Sequence, residues 1–271
     1  MGITRIRPAR RAWRASRGVS LVALAGLALA AATPAWADGT VSGSAFAESV
    51  NVKVATITVT SGPTPTVTLP PTGGNLSQSV ATICVGTACN VLSASLLNAA
   101  TQGSTTGSPN SSSSASIATV NALGVLMAGG LVTADVIASK CTADSAGTSG
   151  SATLTNVKVA GVTVAVNPGP NTTINVAGLA TVILNEQTTS SSGGTNAITV
   201  NAVHIIVNAG VLASGDIILA QSHCDATAGN VIPVGTIGVL GLTGVAGLGF
   251  ALMQHKGYRR RMAAAASQSS L

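Results

Sequence analysis

Apolar and polar residues alternate with a period of two over 50–60, 153–166, 181–185 and 197–207, and clusters of Ser, Gly, Asn and Pro separate these runs. Successive side chains on a strand point to opposite faces, so each run predicts a half-buried strand. Val, Ile and Thr dominate the runs, and branched side chains suit a pleated surface. The stretches 91–100 and 120–132 are ambiguous between helix and strand, and 100–116, rich in Ser, Thr and Gly, is expected to be a flexible surface loop. Short strands at these spacings predict an all-β fold, a β-sandwich or a barrel.

Two longer apolar runs break the alternation, and each adjoins a basic cluster. Residues 18–32 follow six arginines and precede Ala35 and Ala37, small residues placed at the −3 and −1 positions of a cleavage site before Asp38. Residues 1–37 therefore read as a secretory signal peptide, with mature protein beginning near Asp38. The run 231–253 is 23 residues without a charge, enough to cross a hydrocarbon core of about 30 Å as a helix. A transmembrane helix is expected over 231–254. Lys256, Arg259, Arg260 and Arg261 follow it as a stop-transfer cluster, which puts the tail 255–271 in the cytoplasm and 38–230 outside, in a single-pass membrane protein. Residues 69–73 spell LPPTG, the letters of a wall-sorting motif. The motif sits far ahead of the span that should follow it directly, so it reads as a Pro and Gly turn ending a strand.

Internal similarity organises the exterior part. NVKVATITVTSGPTPTVTLP at 51–70 and NVKVAGVTVAVNPGPNTTIN at 156–175 are identical at ten of twenty positions. A second pair follows in the same order, TVNALGVLMAGGLVTADVIASKC at 119–141 and TVNAVHIIVNAGVLASGDIILAQSHC at 199–224, and Gly-Ser-Ala at 43–45 and 150–152 introduces each copy. The exterior reads as two diverged copies of one β unit, about 41–144 and 148–227, packed face to face with approximate two-fold symmetry.

This organisation sets the expectations for the cysteines. Cys141 and Cys224 end the two copies at equivalent positions, so two-fold packing would bring them together. Cys84 and Cys89, in CVGTAC, would then pair locally. CVGTAC has no second cluster to complete a metal site, so no metal or cofactor is expected.

Ten of the thirteen basic residues lie in the two terminal clusters, leaving three lysines against seven acids in the exterior part. The high net charge is thus no argument for nucleic acid. One aromatic residue, Phe46, stands between 38 and 230, too few for stacking platforms against sugars or bases. Asp135 and Asp216 occupy equivalent places in the copies, as do Lys53 and Lys158. The first pair suggests a shared carboxylate site, and the second a lysine to asparagine crosslink or, more simply, gatekeeper lysines on a wet strand face. His223 beside Cys224 suggests a thiol nucleophile with its base, which a disulfide would consume.

The order GSAFAESVNV, GPTPTVTLPPTGG, a Ser and Gly loop, TADVIASKCTA, PNTTINVAGLATVILNEQ, AITVNAVHIIV and GDIILAQSHC resembles the choice-of-anchor P surface proteins of actinobacteria over roughly 43–226. That resemblance implies a secreted domain displayed at the bacterial cell surface. The expected role is structural or interaction-based, with the membrane and cell-wall or extracellular proteins as partners and no catalysis. Two alternatives stand beside it. One is an extracytoplasmic hydrolase using Asp135, Asp216, Glu186 or His204; the other is a module binding a small or apolar ligand.

Overall fold

The computed structural model describes residues 39–229. The cleavage site at Ala35, Ala37 and Asp38, the expected span 231–254 and the cluster Lys256, Arg259, Arg260 and Arg261 lie outside the described residues. Among the described residues no helix is long and apolar enough to cross a membrane.

Thirteen strands form two antiparallel sheets of a β-sandwich. In chain order they are β1 (Thr40–Val54), β2 (Ile57–Thr68), β3 (Gly74–Val85), β4 (Leu92–Ser104), β5 (Asn110–Ala122), β6 (Val132–Asp144), β7 (Gly147–Thr155), β8 (Lys158–Val159), β9 (Val162–Thr163), β10 (Thr172–Val176), β11 (Ala180–Ser192), β12 (Thr195–Asn208) and β13 (Ala213–Thr227). The first sheet runs β10-β11-β12-β13-β1-β2. The second runs β3-β4-β5-β6-β8-β9, with β7 also paired to β6. The two paths correspond when the copies expected from the repeat are laid over each other and β7 and β8 together are matched to β1. Each sheet takes four strands from one copy and its remaining strands from the start of the other, so the copies exchange their leading strands.

Period-two burial holds along most strands, as in β5, where Ser111, Ser113, Ala115 and Ile117 turn inward. The core is aliphatic: Leu97, Ile117, Ile137 and Leu154 of the second sheet face Val52, Leu184, Ile205, Ile217 and Leu219 of the first. Burying each of the larger side chains stabilises the fold by about 1.5–3 kcal/mol before entropic costs. Phe46 points outward and only partly buries.

The structure resolves the two ambiguous stretches and corrects other expectations. Residues 92–100 are strand, and 120–132 is the end of β5, a turn and the first residue of β6, so neither stretch is helix. Residues 100–116 form the β4–β5 hairpin, and only 105–109 are loop. Their serines are interior groups: the Thr101 and Ser113 hydroxyls lie 2.9 Å apart, both buried. The run 50–60 is likewise a hairpin, turning at Ala55 and Thr56. LPPTG is a turn after β2, closed by the Gly73 amide donating to the Pro70 carbonyl.

Gly-Ser-Ala acquires a physical meaning here. Gly43 lies opposite Cys224 in β13, and Gly150 lies opposite Cys141 in β6. A Cβ on Gly43 would come within 2.6 Å of the Thr101 hydroxyl and 2.9 Å of the Ser113 hydroxyl; on Gly150 it would meet Val200 at 2.5 Å and Ile198 at 2.7 Å. Both glycines are required for close approach of the sheets. Beside them Cys141 and Cys224 form a disulfide between the sheets, and Cys84 and Cys89 a local one.

Candidate functional site

Three of the four residues considered for catalysis come together. Glu186, His204 and Asp216 stand on β11, β12 and β13, consecutive strands of the first sheet, on its solvent face. His204 Nδ1 is 2.9 Å from Glu186 Oε2, and its Nε2 is 3.3 Å from Asp216 Oδ1. The Asn201 amide donates to the same Glu186 oxygen at 2.6 Å, and the Gln221 amide donates to Asn201 Oδ1 at 2.7 Å. The row runs from a part-buried carboxylate through a largely buried imidazole to an Asp that is more than half exposed. A neutral ring donates to one of these carboxylates; a protonated ring donates to both.

A local irregularity creates this juxtaposition. Leu184 pairs with Val203 and Glu186 with Asn201, so the register continues unchanged past Asn185, whose φ of 50° breaks the alternation of faces along β11. Asparagine tolerates that left-handed conformation better than most residues. The Asn185 side chain turns inward, its amide donating to the Pro168 carbonyl at 2.8 Å, while Glu186 is carried to the outer face. Gln187 then donates to Asn185 Oδ1 at 2.9 Å and to the Gly150 carbonyl on β7 at 3.0 Å, a bond between the two sheets. The Asn-Glu-Gln tripeptide thus joins the sheets and aims the carboxylate.

Asp135 does not join the row. It lies on β6 of the second sheet and accepts a hydrogen bond from the Asn156 amide. The expectation of a carboxylate pair shared between the copies fails because Asp135 and Asp216 lie on the exposed outer faces of opposite sheets. Lys53 pairs in register with Ser214 and Thr58, and Lys158 with Thr133 and Thr163, so no asparagine stands directly opposite either lysine. Cys224 is in a disulfide, which removes the thiol from the His223–Cys224 reading. His223 instead meets the Thr199 hydroxyl at 2.9 Å through Nδ1.

Asn201 and Gln221 were not singled out from the sequence. The visible signal was the repeated Thr-Val-Asn-Ala at 119–122 and 199–202, which places Asn121 and Asn201 at matching points of the two faces. A groove of about 690 Å³ crosses the second sheet, away from the Glu186 row, and Ser93, Asn121, Thr133, Asp135 and Lys158 line it. Its hydroxyls, amides and single Asp135–Lys158 combination suit hydrogen bonding to a polar ligand and supply no nucleophile paired with a base. A smaller cleft of about 320 Å³ between β9 and β10 is aliphatic. Among the described residues no group of His, Cys, Asp and Glu is arranged to hold a metal ion.

No family model, no curated protein and no solved structure matches the chain.

Proposed function

We propose that this chain is a surface-displayed, membrane-anchored β module with a structural or interaction role outside the cell, of the choice-of-anchor type. The observation that carries this reading is the Cys141–Cys224 bridge between the two sheets. Together with Cys84–Cys89 it leaves no described cysteine free, a pattern suited to an oxidising compartment outside the cytosol. The secretory leader and the uncharged run before Lys256 agree with export and retention at the membrane. Protease treatment of intact cells expressing the full chain, tagged after Leu271, tests the reading. Digestion of residues 38–230 with survival of the tagged tail is expected, and protection of the whole chain refutes display.

The Glu186–His204–Asp216 row favours a second reading, an extracytoplasmic hydrolase. Glu186 would orient the ring and His204 would take a proton from water. A turnover assay against ester and glycoside panels, lost in His204→Gln and Glu186→Gln with the fold intact, would establish it; turnover equal in the variants removes it.

A further inference from the structure

The two ends of the sandwich differ in chemistry. At one end Thr40 pairs with Thr227, and the turns there are polar, such as 105–109 (TTGSP) and 193–194 (GG). At the other end lie 55–56, 86–91, 123–131, 160–161, 177–179 and 209–212, six connections without one charged or aromatic residue, including LGVLMAGGL and AGVL. Four large aliphatic side chains stand out into solvent there: Val211 is 91% exposed, Val162 69%, Ile57 68% and Leu212 61%. Backbone bonds tie these connections together, with the Ala55 amide donating to the Leu212 carbonyl, the Ala160 amide to Leu131 and the Asn208 amide to Leu179, each within 3.0 Å. The pole is therefore held in shape before any partner arrives. Exposed aliphatic groups on a rigid end mark a surface that something covers.

We infer that this pole docks into a lipid surface, one distinct from the bilayer proposed to hold 231–254, because β13 carries the chain to the opposite, polar end at Thr227. Its protruding connections carry aliphatic side chains and a few small polar ones, Thr56, Thr87 and Asn90, and no charge. The aromatic and arginine anchors that dominate protein interfaces are absent from them. Lys53 and Lys158 stand two residues before the tips at Ala55 and Ala160. At about 3.3 Å per residue they lie roughly 7 Å below the tip, the depth at which headgroup phosphates meet an apolar element buried about 5–10 Å into the interface. Neither lysine forms an ion pair among the described residues. The nearby carboxylates are engaged elsewhere, Asp135 with Asn156 and Asp216 with His204, leaving both ammonium groups for phosphates. On the flank of the pole, Val159, Val162, Val164, Ile174 and Val176 line the 320 Å³ cleft, and Asn175 is the one polar side chain on its wall. That wall suits an acyl chain.

Flotation of residues 38–230, which contain the whole described core and both disulfides, with vesicles of phosphatidylcholine alone or mixed with phosphatidylglycerol tests the inference. The unaltered protein floats with the mixed vesicles. Val211→Asp with Leu212→Asp, or Val162→Asp alone, lowers partitioning at least about tenfold, the change expected when one aliphatic side chain stays in water. Lys53→Gln and Lys158→Gln each lower it about fivefold on anionic vesicles and leave phosphatidylcholine binding unchanged. Leu96→Asp, exposed on a sheet face away from the pole, has no effect. Serine replacements at Val211 and Leu212 provide the milder variant should the aspartates disturb folding. Failure of the unaltered protein to float, or flotation insensitive to the pole variants, overturns the inference. So does a dimer in sedimentation that the same variants dissolve, which would make the pole a contact between copies.

Discussion

Removing the bridge between the sheets should cost more stability than removing any other single feature of the sandwich. Cys141 and Cys224 are 83 residues apart, and Cys84 and Cys89 only five. Loop-closure entropy makes the first worth about 4.5 kcal/mol and the second about 2 kcal/mol. The larger figure is a substantial part of the 5–15 kcal/mol that typically separates folded from unfolded domains. Both sulfurs are also interior, at the centre of a small satellite cluster with Val41, Leu69, Ala143, Ile198, Val200 and Ala226. Cys141→Ala/Cys224→Ala should therefore lower the unfolding free energy by about 4–5 kcal/mol, plus up to about 1 kcal/mol for lost packing. Urea denaturation of that variant, of Cys84→Ala/Cys89→Ala and of the unaltered protein measures both terms under one set of conditions. A loss from the long bridge below about 1.5 kcal/mol, or no larger than that from the short one, refutes the argument from loop length and implies that the sheets hold each other in the unfolded ensemble without the bond.

Further expectations concern interior polar groups and close approaches. Glu48 is fully buried; burial raises its carboxyl above the ordinary range, opposed in part by the Ser61 hydroxyl donating at 3.0 Å, and its second oxygen has no partner. The native state then holds this proton more tightly than the unfolded chain. Stability is highest in acid below the ordinary carboxyl range and falls as pH rises through the raised value, by at most about 1.4 kcal/mol per pH unit. Glu48→Gln should flatten that slope and raise the neutral-pH melting temperature; an unchanged slope in calorimetry sinks the assignment. Gly150→Ala and Gly43→Ala should each cost about 1–3 kcal/mol, because the backbone is extended but the opposite sheet occupies the space; urea midpoints within error of the parent would contradict this. Asn201→Ala removes one of the two partners of Glu186 Oε2 and the acceptor of the Gln221 amide, and about 1 kcal/mol should be lost, read from the same titrations.

What could be read along the chain was decided by which interactions are local. Alternation found parts of β1, β2, β7, β11 and β12 because one face of each meets the core, though it carried 50–60 and 153–166 through the turns at Ala55 and Ala160, and the repeat placed Cys141 and Cys224 together because equivalent positions meet across a two-fold arrangement. Composition misled at 100–116. A tract of Ser, Thr and Gly looks solvated, yet Ser111 and Ser113 fill an interior too narrow for larger groups, where Gly43 and Thr101 crowd them. The turn at Ala55 was invisible for a different reason. Alanine has no preference for its φ of 52°, and the conformation is held by the bond from its amide to Leu212, a residue distant in sequence. Ala160 repeats the device at φ 49° with Leu131 as acceptor, so the repeat preserved a tertiary contact that no turn signal announces.

The site shows the same division. Glu186, His204 and Asp216 were recognisable as residue types, but their adjacency depends on which face of β11 carries Glu186, and the left-handed backbone at Asn185 decides that face. Without that break, alternation would send Glu186 toward the core together with Leu184, and a carboxylate there would meet Val182 and Ile205 in place of an imidazole and the Asn201 amide. The turn of the backbone at Asn185 thus keeps an ionisable side chain out of the aliphatic cluster that Leu184 joins. Deleting Asn185, which Ala202 matches on β12, is accordingly expected to put the two halves of β11 one residue out of register and to unfold the sheet edge, with loss of β10–β11 protection in hydrogen exchange; a variant that keeps that protection would show that Glu186 reaches His204 without the break at Asn185.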